Sequence, residues 1–144
     1  MDFKYPLPMR LFSYLLLFPI LSMAQFDLTV TITNIKSTDG KISVAVYDNS
    51  KDFLKFDKVF KAVSAPAEKG SASIVIEDLP KGTYALAAFH DQNNNDKLDT
   101  NFLGIPKEPL GFSIGKLKTF GPPSFSECSF SVTSDKEISI PLSN

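Results

Sequence analysis

A single cysteine, Cys128, and a single histidine, His90, are all that 144 residues provide for thiol and imidazole chemistry. One cysteine cannot close an internal disulfide, so the fold has to be held by its core alone. Cys128 lies in Phe125-Ser126-Glu127-Cys128-Ser129-Phe130, where a small buried thiol is expected rather than a nucleophile. A catalytic zinc normally takes three protein ligands, mostly His or Cys, and one of each falls short. A serine triad needs a placed base, and only His90 could serve. The seven glycines are scattered, so no loop of them can cradle a phosphate. Charge is balanced as well, with 15 Lys and Arg against 16 Asp and Glu for a formal −1. Nucleic acid or anionic lipid would need clustered Lys and Arg for a strong electrostatic attraction. Long apolar runs are missing too: Leu11–Ile20 is broken by Ser13 and Pro19, well short of the roughly 20 residues that span a bilayer.

What is present begins with a leader. Lys4 and Arg10 form a short positive region, the apolar stretch follows, and Ser22-Met23-Ala24 places small residues three and one before a cut. That is the pattern signal peptidase reads. Residues 1–24 are therefore predicted to be a cleaved signal peptide and 25–144 a single domain, periplasmic or secreted. The leader carries two bases and one acid, so the remaining domain of about 120 residues stands near −2, the common size for one domain.

Period-two alternation dominates that domain. Leu28, Val30 and Ile32 alternate with threonines, and Ile42, Val44 and Val46 alternate again after the Asp39-Gly40 turn. These two runs pair as a hairpin or face each other across a sandwich. Residues 48–58 read as a connection whose Phe53, Leu54 and Phe56 cap the core. Val59–Val63 is a weaker strand. Ala72, Ile74 and Ile76 mark another, and Tyr84–His90 follows the Leu79-Pro80-Lys81-Gly82 turn. Phe130 with Val132, and then Ile138, Ile140 and Leu142, make the last two. Short strands separated by regular turn signals imply an all-β sandwich or barrel. Asp91 to about Phe125 breaks the rhythm as one long loop insertion. Loops beyond about 12–15 residues are usually functional or disordered, and Phe102, Phe112, Phe120 and Phe125 argue against disorder.

The most specific pattern is Asp91-Gln92-Asn93-Asn94-Asn95-Asp96-Lys97-Leu98-Asp99. Side-chain oxygens at Asp91, Asn93, Asn95 and Asp99, with the Lys97 carbonyl, match the opening of a calcium loop. Asp96 stands where such loops have glycine, and Phe102 where they have a bidentate glutamate. The competing reading is a polar turn held by Asx hydrogen bonds. His90 shares a strand face with Tyr84, Leu86 and Ala88, which makes it structural. The alternative is a small metal-dependent hydrolase using His90 with Asp91 or Asp99.

Leu79-Pro80-Lys81-Gly82-Thr83-Tyr84, the Phe89-His90-Asp91 run through Phe102, Gly104-Ile105-Pro106-Lys107-Glu108, Gly111-Phe112-Ser113 and Phe120-Gly121-Pro122-Pro123-Ser124-Phe125 together resemble a bacterial family of exported proteins catalogued only as a domain of unknown function. The resemblance also takes in the strand Gly40–Tyr47 and so spans nearly the whole mature chain. It implies export and an immunoglobulin- or transthyretin-like antiparallel β-sandwich, and it brings no activity, since fold alone assigns none. The expected protein is non-enzymatic, possesses a calcium site at Asp91, Asn93, Asn95, Lys97 and Asp99, and binds a protein or glycan. A structural accessory of the envelope is a further alternative.

Overall fold

Alternation sends every second residue of β1 (Gln25–Ile35) inward, burying Leu28, Val30 and Ile32, and an irregularity at Asn34 turns Ile35 inward as well. The same rule operates in β2 (Lys41–Tyr47), β4 (Gly70–Pro80) and β5 (Gly82–Asp91), and the inward sets meet in one core. The computed structural model describes residues 24–114, 118 and 120–143. Apart from Ala24, the leader read at 1–24 lies outside the described residues.

The chain is an all-β sandwich. One sheet runs β4-β1-β8, with β8 at Lys136–Pro141. The other runs β3-β2-β5-β6, with β3 at Lys61–Pro66 and β6 at Leu110–Phe112. The short β7 (Phe130–Val132) also pairs with β5. β1 and β2 do not form a hairpin; they sit in different sheets and face each other across the core. All pairs are antiparallel but one: β1 and β8 run parallel, Leu28 opposite Lys136 and Thr33 opposite Pro141. The first sheet keeps Thr29, Thr31, Thr33, Ser71 and Ser73 outward, the alternation of a sheet with one solvated face.

Around β5 the second sheet is covered on both faces. β6 and β7 lie end to end along β5, opposite Ala87–Phe89 and Gly82–Tyr84 respectively. Between them the short helix α1 (Phe125–Cys128) packs over the outer face. There Ala85, Leu110, Phe112 and Cys128 form a second apolar cluster with Phe53, Leu54, Phe89 and Phe125. Phe53 stands edge-on to Tyr47 at 5.4 Å and to Phe125 at 5.8 Å between ring centres, a preferred aromatic geometry. Ser113 pins the covering segment: its hydroxyl accepts from Leu86 N–H and donates to the Cys128 carbonyl.

Several expectations change here. Phe56 does not cap the core but stands 61% exposed, because it falls on the 3-10 turn Phe56–Lys58, which has no buried residue. The weak strand begins at Lys61 rather than Val59. The long insertion contains β6, too short at three residues to show alternation. Of its four phenylalanines, Phe112 and Phe125 pack, whereas Phe102 and Phe120 project into solvent.

Candidate functional site

The site is built where the β1–β2 turn meets the end of β5. Gly40 takes φ +67°, and a Cβ there would lie 1.9 Å from the Asp91 carbonyl oxygen. Only glycine allows that approach. It brings the Asp39 carbonyl to 2.6 Å from His90 Nε2, which must therefore donate. The His90 ring is fully buried, and its Nδ1 has no hydrogen-bond partner among the described residues. His90 accordingly lies on the core face shared with Tyr84, Leu86 and Ala88, out of a substrate's reach.

Asp91 is fully buried, and the loop's backbone occupies its carboxylate. Oδ1 accepts from Asn95 N–H at 3.1 Å and Oδ2 from Asp96 N–H at 2.9 Å. Lys41 Nζ lies 3.8 Å from Oδ2 and also pairs with the Asp96 carboxylate. The hydrogen bond that Lys41 donates to the Asp96 carboxylate holds its ammonium above the ordinary lysine range. Asp96 itself adopts φ +62°, the left-handed conformation in which calcium loops place glycine, and Asn94 adopts +57°. Short polar side chains tolerate that region better than most.

The remaining expected ligands come together in the same turn. Asn93 Nδ2 donates to Asp99 Oδ2 at 2.6 Å, and Asn95 Nδ2 to Asp99 Oδ1 at 3.1 Å. Asn93 Oδ1 accepts from Asn95 N–H, and Asn95 Oδ1 from Lys97 N–H. Asp91, Asn93, Asn95, Lys97 and Asp99 thus form one hydrogen-bonded unit. Among the described residues no three His, Cys, Asp or Glu side chains converge on a common point for a metal. An ion here would rest on mixed carboxylate, amide and main-chain oxygens, hard donors of the kind calcium takes.

Sequence reasoning missed Glu108. Only 5% exposed, it accepts from Gln92 N–H through Oε1 at 2.9 Å and from Asp99 N–H through Oε2 at 3.0 Å, closing the loop across both ends. Its one signal was a lone acid between Pro106 and Pro109, which no ligand spacing marks.

Beyond Asp99 the chain forms a finger. Lys107 N–H donates to the Asp99 carbonyl, Thr100 bridges Pro106, and Asn101 N–H donates to the Ile105 carbonyl. The Asn101 side-chain oxygen accepts from both Leu103 and Ile105 N–H, at 2.9 and 3.0 Å. Gly104 N–H closes on the Asn101 carbonyl. At this locked tip Phe102 is 95%, Leu103 68% and Ile105 55% exposed.

A family model described as an uncharacterized protein conserved in bacteria (DUF2141) matches residues 30–140. No curated protein matches. Among solved structures, a fimbrial assembly protein from Parabacteroides distasonis ATCC 8503 is similar at a TM-score of 0.42 and 11% identity. The match covers 83% of this chain and 53% of that one, so the chain spans about half of that protein's length.

Proposed function

The chain belongs to the DUF2141 family of bacterial proteins, and from that premise we propose that it is an exported, non-enzymatic module of the cell envelope that binds through its finger. The supporting observation is the tip itself: three large apolar side chains held outward on a turn whose own hydrogen bonds fix its shape. Apolar surface displayed this way on a soluble protein usually marks an interaction site. A turn already ordered loses little freedom when it is engaged. Export rests on the leader pattern of residues 1–24. The non-enzymatic reading rests on His90, whose ring is buried, and on Asp91, whose oxygens serve the backbone.

Calcium completes the reading. The loop beneath the finger gathers only oxygen donors, and Asp96 supplies the left-handed turn that wrapping a cation requires. Asn93 and Asn95 would turn their amide oxygens inward, replacing the bonds they now donate to Asp99. Glycan recognition depends on polar groups arranged about an aromatic face, whereas Phe102, Leu103 and Ile105 offer only apolar contact. The reading therefore narrows to an apolar partner surface.

Cell fractionation tests it. The double variant Phe102→Ser, Leu103→Ser should melt within about 0.5 kcal/mol of the parent, as exposed substitutions do, yet pass from the envelope to the soluble fraction. Equal envelope association of variant and parent would refute the finger as the contact.

A further inference from the structure

Resting on that reading, we propose that the finger's partner is a phospholipid surface, with Phe102, Leu103 and Ile105 entering the interface while Lys97 and Lys107 meet headgroup phosphates. The first argument is hydrogen bonding. The N–H groups of Asn101, Leu103, Gly104 and Ile105 are all satisfied within the turn. Water or a protein pocket would supply partners for them, but the edge of a hydrocarbon layer supplies none. A tip that closes four of its five N–H groups, leaving Phe102 N–H and the Phe102, Leu103 and Gly104 carbonyls to the hydrated headgroup layer, fits the edge of that medium.

The second argument is layering. The finger is based on the Asp99–Lys107 hydrogen bond. Phe102 is three residues from that base, so the tip reaches at most about 10 Å beyond it. Interfacial segments enter to about 5–10 Å. With the tip at that depth, Lys107 at the base comes to the level of the phosphates, and Lys97 is two residues from the base residue Asp99.

The third argument is charge. The acids of this end are engaged: Asp91 and Glu108 by backbone N–H groups, Asp96 by Lys41, and Asp99 by two side-chain amides. Lys97 and Lys107 are exposed and form no ion pair among the described residues. The contact is led by apolar side chains with two lysines in support, so it does not require a basic molecule.

The chain contains no tryptophan, so Phe102→Trp makes the tip its own reporter. With vesicles of phosphatidylcholine, alone or mixed with phosphatidylglycerol, its emission should shift to the blue and be quenched by acyl-brominated lipid. In flotation, Phe102→Ser with Leu103→Ser should lower partitioning at least about tenfold. Lys97→Gln with Lys107→Gln should remove about fivefold per lysine of the preference for phosphatidylglycerol and weaken phosphatidylcholine binding far less than the serine variant does. Unshifted emission and no flotation, or flotation indifferent to the serine variant, would overturn the lipid proposal. If envelope fractionation still depended on Phe102 and Leu103, the binding-module reading would stand with a protein as the partner. If it did not, both would fall.

Discussion

Glu108 holds its place by giving one oxygen to each end of the Asp/Asn loop, and a glutamine has only one oxygen to give. Glu108→Gln should therefore leave one partly buried N–H facing an amide nitrogen and destabilise by about 1 kcal/mol or more, read as a lower melting temperature. Calcium should act in the opposite direction. For a dissociation constant of about 0.1 mM and about 1 mM ion, binding linkage gives about 1.4 kcal/mol. That is about 3–7 °C in a domain of this size, with magnesium doing less because it demands a stricter octahedron. Asp99→Asn separates the ion from the scaffold, because Asp99 oxygens take side-chain amides whereas Asp91 oxygens hold the backbone. The variant should fold and lose most of the calcium response. Melting of chelator-treated protein that ignores calcium would leave the loop as a polar turn. At this scale the sequence shows much: alternation alone placed His90 on the core face, and the Asp/Asn spacing marked residues that do meet. Glu108 was not legible, since its partners are backbone N–H groups 9 and 16 residues away, and no side-chain pattern encodes them.

Among the elements, the longer strands could be read from alternation and β6 could not. β6 has three residues with a glycine at its centre, so no period can emerge. Gly111 is there because a Cβ would lie 2.5 Å from the Pro141 carbonyl oxygen, a contact between distant parts of the chain. The same limit hid the second apolar cluster, whose members come from β5, the 48–58 connection, the insertion and α1. The helix α1 permits a sharper test. Lys118, 2.8 Å away, with the Ser124 N–H and hydroxyl, holds the exposed Glu127 carboxyl down at about 2 from an ordinary 4.5. A lowered carboxylate favours the fold above its unfolded value, and that contribution fades as pH falls from about 4.5 towards about 2. Carboxyl NMR should place the Glu127 midpoint near 2, and Lys118→Gln should move it upward. An unmoved midpoint in that variant would remove Lys118 as the cause.

For the whole molecule, the sandwich was legible and its closure was not, because pairing partners across a hundred residues leave no local trace. β1 is flanked by β4 on one side and by β8 on the other. Leu110 and Ser143 exchange both backbone bonds at 2.9 Å, joining the far end of the chain to the second sheet. Deleting residues 136–144 would discard buried Ile140 and Leu142. Losses of that kind total about 4–10 kcal/mol, comparable with the about 5–15 kcal/mol that holds an ordinary domain together. The truncated protein should lose its cooperative melting transition; a sharp transition retained would show that β8 is dispensable. The parallel pairing of β1 with β8 also sets a timetable. A chain delivered N-terminus first, from a ribosome or through a narrow pore, presents β1 at the outset and its second neighbour only at the finish. Among the described strands β8 comes last, so the β4-β1-β8 sheet can close only after nearly all of the core has already emerged.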